Sequence, residues 1–332
     1  MTKATIIGTT SWGIALGGIL AGKGYQVHIW ARSEAEAVES TQKRNGHYNL
    51  SYTSSAAEAT EDSSLIIWAV PAQSLRQNVR QFHNLIDPST VLLSAAKGIE
   101  AHTGKRMTEI MAEELDPSSW PKICVLSGPN LAREVVQGLP ATTVVAARES
   151  RTALAAQDTL NTPDFRVFTS NDVIGVELCG ALKNIIALGA GIVDGLELGD
   201  NAKGAFIALG WSEMVSVGRV CGAEEATFYG VAGLGDLFTT CSSPLSRNHT
   251  VGYDLGRGKP LADIIAGTPN VAEGIDTTVG LINMARTLKM ELPITSLIYR
   301  VLYERLKPED GVAQFRKLVS RQPVADHQVR LL

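Results

Sequence analysis

Residues 4–13 read Ala-Thr-Ile-Ile-Gly-Thr-Thr-Ser-Trp-Gly, an apolar run that leads directly into a loop framed by glycines. The run is typical of a buried strand, and the stretch Trp12–Ala21 predicts a helix. Gly8 and Gly13 match the first and third glycines of the G-x-G-x-x-G dinucleotide fingerprint, between a strand and a helix as that motif requires. This stretch therefore predicts the first unit of a doubly wound α/β sheet that binds a dinucleotide.

The second fingerprint position holds Thr10 instead of glycine. A side chain there should crowd the pyrophosphate, unless the loop shifts or the hydroxyl donates to a phosphate oxygen. An ordinary glycine turn is the alternative interpretation. We expect Gly8, Thr10 and Gly13 to form the phosphate side of a dinucleotide site.

Apolar runs alternate with amphipathic stretches in the first half of the chain, as in a parallel sheet. The predicted strands are Ala4–Gly8, Gln26–Trp30, Ser64–Val70, Thr90–Ala96, Ile123–Ser127 and Thr142–Ala147. The predicted helices are Trp12–Ala21, Ser74–Leu85, Thr103–Leu115 with Thr103 as N-cap, Val173–Val193, Thr277–Lys289 and Leu297–Leu306. The sequence thus predicts an α/β fold: a Rossmann-like domain at 1–171 and a mainly α-helical domain at 172–332.

Composition excludes several classes of protein. The chain has 332 residues, of which 45% are hydrophobic and 19% charged, so it is neither disordered nor a coiled coil. Its 30 basic and 34 acidic residues form no strongly basic footprint for nucleic acid. The four cysteines lack metal-ligand or disulfide spacing and are expected to be reduced, mostly buried thiols. The longest apolar stretch, Leu178–Val193, contains Lys183-Asn184 and is interpreted as a buried helix of a cytoplasmic enzyme, not a membrane span.

The residue after the second strand bears on the choice of cofactor. NAD-binding folds place a carboxylate there for the ribose 2′-hydroxyl, whereas Trp30-Ala31-Arg32 offers a guanidinium. Arg32 favours NADP(H) over NAD(H) because it suits a 2′-phosphate. The alternative is that Arg32 only solvates the edge of the sheet.

Three segments carry candidate chemistry. Lys183 lies in an apolar helix, where burial lowers the pKa of a lysine and suits it to proton exchange, with Asn184 beside it. Asp236 stands in a glycine-framed turn, and Ser246-Arg247-Asn248 follows as a set of phosphate donors. Lys97 directly follows a strand, at the edge where open sheets bind ligands. For each segment a structural role is the competing interpretation.

Taken in order, these segments resemble the NAD(P)-dependent glycerol-3-phosphate dehydrogenases of the bacterial type. The similar stretches include GTTSWG, SAAKGIE, LSGPNLAREV, ALKNIIALGAG, AGLGDLFTTCSSPLSRN and NVAEGI. The resemblance implies a Rossmann domain followed by a helical substrate domain. It also implies reversible reduction of dihydroxyacetone phosphate to sn-glycerol 3-phosphate with NADP(H) or NAD(H), which supplies the glycerophospholipid backbone.

The resemblance also implies roles for individual residues. Lys183 matches the proton-transferring lysine. Substrate contacts are implied for Lys97, Gly128, Asp236, Ser246, Arg247 and Asn248. Asn184 is expected to hydrogen-bond the same substrate because it lies beside Lys183. Cofactor contacts are implied for Ser11, Trp12, Arg32, Lys97, Ala132, Arg247, Val271 and Glu273.

The chain departs from the family pattern at three places: Thr10, Asn130 in place of a serine on the substrate side, and the loop Asn45–Leu50, which looks shortened. Asn130 retains hydrogen-bonding capacity for the substrate. One alternative function is a related dehydrogenase for carboxylates, of the β-hydroxyacid or ketopantoate type. The Lys-Asn doublet and the Ser-Arg-Asn loop favour a phosphate ester over these. The other alternative is a dinucleotide sensor without catalysis. No metal is expected, and the apolar second half is consistent with a homodimer whose interface the sequence does not locate.

Overall fold

The computed structural model describes residues 2–42, 50–267 and 272–321. Within them the chain divides into two compact units. Unit 1 comprises the residues up to Lys97 and Arg106–Glu177, and unit 2 comprises Gly98–Lys105 and the described residues from Leu178 onward. The single domain boundary at residue 171 stays a prediction. The packing also shows that a short segment of the first half, Gly98–Lys105, belongs to unit 2.

Unit 1 is built on one sheet, which confirms the predicted α/β class. The described strands are β1 Lys3–Ile7, β2 Gln26–Trp30, β3 Leu50–Thr53, β4 Ser63–Trp68, β5 Val91–Ser94, β6 Ile123–Ser127, β7 Ala141–Ala147 and β8 Phe165–Ser170. They are arranged in the order β3-β2-β1-β4-β5-β6-β7-β8. All neighbouring pairs are parallel except β6 and β7, which are antiparallel. The reversal of strand order at β1 and β4 is the doubly wound topology expected from the glycine loop.

Helices cover both faces of this sheet. The helices that begin in unit 1 are α1 Ser11–Gly22, α2 Glu34–Gln42, α3 Ala56–Thr60, α4 Leu75–Phe82, α5 Met107–Glu114, α6 Ala132–Val136, α7 Ser150–Leu160 and α8 Val173–Gly195. Residues of α1, α6 and α7 share a buried cluster with one set of alternating strand side chains. Residues of α4 and α5 share a second cluster with the other set. Because both faces are buried, the central strands β4, β5 and β6 consist of near-continuous apolar runs.

Unit 2 is helical. It contains α8 from Leu178 onward, α9 Asp200–Val220, α10 Glu225–Tyr229, α11 Asp236–Ser242, α12 Arg247–Gly256, α13 Leu261–Ala266, α14 Glu273–Leu288, α15 Pro293–Tyr303 and α16 Pro308–Arg321. A π-helical turn, Val231–Gly235, leads into α11. The prediction of a mainly helical second half is confirmed.

Helix α8 is the buried core helix that the sequence predicted. By length and composition alone it is apolar enough to cross a membrane, yet 94% of its most apolar window is buried. Gly191 lies so close to α12 that an added Cβ would stand 2.1 Å from the carbonyl oxygen of His249. At Gly252 of α12 an added Cβ would stand 1.9 Å from the carbonyl oxygen of Leu188. The glycines therefore let the two helix backbones touch, and only glycine permits this spacing.

Two local predictions differ from the structure. Helix α5 begins at Met107, with Arg106 as N-cap, so Thr103 is not its N-cap. Instead the Thr103 hydroxyl donates to the Glu100 carboxylate. Gly104 follows with a φ of +70°, a left-handed conformation that interrupts any helix through this point. In addition, β3 and β8 were not predicted, and Leu306 lies beyond the end of α15.

The segment Gly98–Lys105 packs entirely within unit 2. Asn283 on α14 donates from Nδ2 to the carbonyl oxygen of Ala101 at 2.7 Å. A Cβ at Gly280 would lie 2.8 Å from Cγ2 of Ile99. Side-chain and main-chain contacts thus fix this segment against α14.

Candidate functional site

The glycine loop of unit 1 has the geometry of a dinucleotide site. Gly8 has a φ of +109°, and a Cβ there would lie 2.9 Å from the carbonyl oxygen of Ala69. A Cβ at Gly13 would lie 2.7 Å from the carbonyl oxygen of Gly8. The two fingerprint glycines are thus required for the turn and for close packing of α1 on the loop, as the motif predicts.

Thr10 acts as the N-cap of α1. Its hydroxyl accepts a hydrogen bond from the Gly13 N–H at 3.0 Å and donates to the carbonyl oxygen of Ala69 at 2.7 Å. The hydroxyl therefore caps the helix, and its proton goes to the main chain rather than to a phosphate. The N–H groups of Ser11 and Trp12 belong to the first turn, whose donors have no intrahelical acceptors and suit an anion.

A buried donor beside the loop supports the same interpretation. The Trp12 ring packs at a tilt on Phe165, with 6.2 Å between ring centroids. Its Nε1 is buried and has no hydrogen-bond partner among the described residues. An orphaned buried N–H is rare in folded proteins and marks a place for an acceptor from a ligand or a water. The loop residues therefore fit a dinucleotide.

Arg32 does not stand alone at the end of β2. Its guanidinium contacts the carboxylate of Glu36 on α2, with Nε to Oε2 at 3.1 Å and Nη2 to Oε1 at 3.2 Å. The Arg32 side chain is 82% exposed and that of Glu36 is 20% exposed. Thr9 of the glycine loop also donates to this carboxylate. Glu36 was not among the predicted site residues.

The predicted substrate residues of unit 1 cluster at the ends of β5 and β6. Lys97 donates from Nζ to the carbonyl oxygen of Gly128 at 2.7 Å. A Cβ at Gly128 would lie 2.9 Å from the carbonyl oxygen of Thr142, so glycine is required there. Asn130 donates from Nδ2 to the same Thr142 oxygen at 3.1 Å. Ala132 is the first residue of α6. Asn130 thus ties its loop to β7, and its Oδ1 is buried without a partner among the described residues.

Lys183 is the centre of a buried polar cluster in unit 2. Its Nζ donates to the carboxylate of Asp236 and, at 2.7 Å, to the hydroxyl of Thr240. Asp236 is the first residue of α11 and follows the π-helical turn. Within that turn a Cβ at Gly233 would lie 2.2 Å from the carbonyl oxygen of Phe228. The glycines around Asp236 therefore form a tight turn that presents the carboxylate to α8.

Two asparagines form a second buried connection. Asn248 donates from Nδ2 to Oδ1 of Asn184 at 2.9 Å, and its own Oδ1 accepts from the N–H of Gly274 at 2.9 Å. Asn184 in turn donates to the carbonyl oxygen of Gly180. These amides join α8, α12 and the first turn of α14. Because these hydrogen bonds are with other residues of the protein, a contact of Asn184 or Asn248 with the substrate stays a prediction.

The remaining predicted residues of unit 2 lie near the starts of helices. Ser246 is buried and caps α12, where its Oγ accepts from the N–H of His249 at 3.3 Å. Arg247 follows it, is exposed and forms no ion pair with another described residue. Glu273 is the first residue of α14. Val271 and residues 45–49 lie outside the described residues, so the predictions for them remain untested.

The cysteines, the potential metal ligands and Thr240 are the other groups of interest. Cys124, Cys179 and Cys241 are buried, and burial raises the pKa of the Cys241 thiol to about 12. Among the described residues, no group of His, Cys, Asp and Glu has the arrangement to hold a metal ion. Thr240 was missed by the sequence analysis, although it lies four residues after Asp236, which places the two on one helix face.

The chain is similar to known proteins over most of its length. Two family models match the chain: the N-terminus of NAD-dependent glycerol-3-phosphate dehydrogenase at residues 3–153 and its C-terminus at residues 172–313. A protein named glycerol-3-phosphate dehydrogenase [NAD(P)+] from Dehalococcoides mccartyi is 49% identical over 94% of this chain and 89% of the relative. A protein of the same name from Streptomyces avermitilis is 43% identical over 96% of each chain.

A solved structure is also similar. The crystal structure of glycerol-3-phosphate dehydrogenase from Coxiella burnetii has a TM-score of 0.89 and 33% sequence identity, and covers 96% of this chain and 99% of that one. The similarity in sequence and in fold extends over both halves of the chain. The chain belongs to the NAD-dependent glycerol-3-phosphate dehydrogenase family.

Proposed function

We propose that this protein catalyses the reversible reduction of dihydroxyacetone phosphate to sn-glycerol 3-phosphate with NADPH or NADH, and that it supplies the glycerophospholipid backbone. The observation that carries the proposal is the Lys183 ammonium on the core helix of unit 2, held by Asp236 and Thr240. The burial of this lysine between two hydrogen-bond acceptors, in a member of this family, supports a role in proton transfer.

The dinucleotide, when bound, supplies a hydride to C2 of the ketone. We propose that Gly8, Gly13 and the first turn of α1 hold its pyrophosphate. Gly8 makes the tight turn and Gly13 lets α1 pack closely on the loop, so the N-terminus of α1 faces the phosphates, where it favours negative charge. The other proposed contacts of the dinucleotide are Ser11, Trp12, Arg32, Lys97, Ala132, Arg247 and Glu273.

Lys183 moves the proton. In the reductive direction, a proton leaves Nζ for the C2 oxygen as that oxygen gains negative charge, and in the oxidative direction the neutral amine takes the hydroxyl proton back. Asp236 and Thr240 hold Nζ in one place on α8, which is the positioning that such a transfer requires. Asp236 also balances the charge of an ammonium that is otherwise expensive to bury.

The substrate phosphate is proposed to meet Arg247, whose exposed guanidinium is suited to bidentate phosphate contacts. The other residues proposed to contact the substrate are Lys97, Gly128, Asn130, Asn184, Asp236, Ser246 and Asn248. For Ser246 and Asn248 the observed hydrogen bonds support a role in holding the first turn of α12, where Arg247 lies.

A spectrophotometric assay tests the function. NADPH or NADH absorbance is followed with dihydroxyacetone phosphate, with ketopantoate and with a β-ketoacid of similar size. The proposal expects oxidation with the phosphate ester, at least about a hundredfold faster than with either carboxylate. Binding of dinucleotide without oxidation would favour a sensor, and preferred oxidation with a carboxylate would favour the related dehydrogenases.

Two further proposals concern the cellular location and the oligomeric state of the protein. A cytoplasmic enzyme is supported by α8 being a core helix, 94% of whose apolar window is buried. A homodimer is supported by apolar side chains that stay exposed in unit 2, including Phe238 at 69% and Tyr229 at 56%. Cell fractionation and sedimentation at several protein concentrations test the two proposals.

A further inference from the structure

Glu36 is the centre of a compact hydrogen-bond set at the end of β2. Its Oε2 accepts from Nε of Arg32 at 3.1 Å and from the main-chain N–H of Arg32 at 3.0 Å. Its Oε1 accepts from Nη2 of Arg32 at 3.2 Å and from the hydroxyl of Thr9 at 2.6 Å. One carboxylate thus joins the glycine loop, the end of β2 and the first turn of α2.

The charge of Glu36 is stable at neutral pH. Burial works against the ionised form, but the hydrogen bonds from Arg32 and Thr9 outweigh it and lower the pKa of the carboxyl. The carboxylate also occupies one of the two edges through which a guanidinium binds a phosphate bidentately. Arg32 therefore offers a phosphate less than a solitary arginine would.

Dinucleotide-binding folds use this place to read the adenosine ribose. A carboxylate there accepts a hydrogen bond from the 2′-hydroxyl of NAD, whereas an arginine accommodates the 2′-phosphate of NADP. This chain holds both groups in one ion pair. A 2′-phosphate beside Arg32 gains a cation but meets the negative charge of Glu36, and a 2′-hydroxyl finds an ionised acceptor.

Resting on the dinucleotide use proposed above, we propose that Glu36 is a specificity-determining residue that sets the balance between NADPH and NADH. It acts by positioning Arg32 and by opposing the charge of a 2′-phosphate. Its presence offsets the NADP(H) preference that Arg32 alone predicts and leaves both cofactors usable.

The test compares adenosine 2′,5′-bisphosphate with 5′-AMP, because these ligands differ only by the 2′-phosphate. Calorimetry gives the ratio of their dissociation constants, and fluorescence titration gives the same ratio for NADPH and NADH. In Glu36→Gln the amide oxygen still accepts from Thr9, but the negative charge is gone. We expect the ratio to shift about five- to tenfold towards the 2′-phosphate at low salt, and less at high salt because Arg32 is exposed.

Two further variants make the test specific. Glu34→Gln removes a charge from the same turn of α2 but leaves Arg32 untouched, since Glu34 accepts from Ser54 Oγ at 2.7 Å. It should leave the ratio within about twofold of the wild type, because Glu34 is bonded to Ser54 and not to Arg32, and salt screens its charge. Arg32→Gln should shift the ratio in the opposite direction from Glu36→Gln, and it provides a second measurement if Glu36→Gln folds poorly by thermal unfolding.

The outcomes separate the two proposals. A ratio that Glu36→Gln leaves unchanged, or that Glu34→Gln shifts equally, overturns the assignment of Glu36 while the dinucleotide site stands. Equal weakening of both ligands in Glu36→Gln also overturns it, because that is the signature of a purely structural residue. A wild-type protein that binds neither NADPH nor NADH overturns the dinucleotide site itself and the inference with it.

Discussion

Lys183 and Asp236 form an ion pair in which the side chains are only 8% and 1% exposed, although 53 residues of chain separate them. A buried pair of this kind adds little to stability, because removing two charges from water is costly. The proposed proton transfer gives this pair a purpose that stability does not.

Replacing Lys183 separates its charge from its proton. Lys183→Arg keeps a cation beside Asp236, but a guanidinium does not release a proton near neutral pH. We expect turnover with dihydroxyacetone phosphate to fall about 10²- to 10⁴-fold, as for loss of a general acid. Initial rates give the turnover, and fluorescence titration should show unchanged NADPH binding.

The control for this variant is Lys259→Ala. Lys259 pairs with Asp254 in the same unit, but its side chain is 59% exposed. Its turnover should match the wild type. Near-normal turnover in Lys183→Arg would show that only the charge of this lysine matters.

Thr240 provides the second hydrogen bond to Lys183. Thr240→Val keeps the shape of the side chain but removes the acceptor for Lys183 and the donor to Asp236, whose carbonyl oxygen lies 2.7 Å away. The loss of one hydrogen bond to Lys183 costs about 1 kcal/mol. We expect kcat to fall about five- to tenfold with an unchanged affinity for NADPH. Thr239→Val is the matched control, because that hydroxyl donates to the carbonyl oxygen of Gly235, in the preceding π-helical turn, and not to Lys183 or Asp236. An equal loss of kcat in both variants would argue for general damage to α11.

Gly13 tests the dinucleotide loop. In Gly13→Ala the new Cβ would meet the carbonyl oxygen of Gly8 at 2.7 Å, so α1 must move away from the loop. We expect affinity for NADPH to fall at least about tenfold and stability to fall by about 1–3 kcal/mol. Gly22→Ala on the same helix adds a Cβ with no atom within 4 Å and should leave both unchanged. Tight NADPH binding by Gly13→Ala would contradict the proposed placement of the pyrophosphate.

Acid sensitivity has an identifiable contribution from Asp194. Burial would raise the pKa of its carboxyl, but hydrogen bonds from Lys203 at 2.6 Å and His249 at 2.7 Å outweigh this and lower it from the ordinary value of 3.8. The folded state therefore binds fewer protons here than the unfolded state. The stabilisation is complete above the unfolded pKa and is lost as pH falls through the folded one.

Asp194→Asn should thus be less stable than the wild type at pH 7, and the difference should shrink towards zero as the pH is lowered below about 4. Urea unfolding at several pH values measures this. Asp254→Asn, which breaks a more exposed pair, should cost less than about 1 kcal/mol at pH 7. A difference between Asp194→Asn and wild type that is independent of pH would refute the role of ionisation.

The sheet was predictable where burial is complete. Strands β2 and β6 have the predicted bounds, Gln26–Trp30 and Ile123–Ser127, because every residue in them except Gln26 is buried and both segments have clear ends. Strand β3 has only four residues, and strand β8 lies at the sheet edge with every second residue exposed over Phe165–Phe168. Neither has the continuous apolar pattern that identifies a central strand.

Site residues divide in a similar way. Local patterns pointed to Lys183, Asp236 and Gly8, because a charge in an apolar helix and glycines in a loop are visible without a fold. The partners Thr240 and Glu36 lie four residues after Asp236 and Arg32, but the sequence alone does not show that these side chains meet. Whether each side chain reaches its functional neighbour depends on how its helix packs. Neither a threonine nor a glutamate is unusual at these positions of the sequence.

The contribution of Gly98–Lys105 to unit 2 has a consequence for how the protein can be divided. The chain passes from one unit to the other three times, after Lys97, Lys105 and Glu177. The second and third passages are joined within unit 1 by the buried ion pair of Arg106 with Glu177. A gene fragment starting at Leu178 would therefore encode a helical unit without the segment that contacts α14. Neither unit is one continuous segment of the chain. Recombination with a relative at a single crossover at Leu178 would therefore exchange unit 2 without its segment Gly98–Lys105.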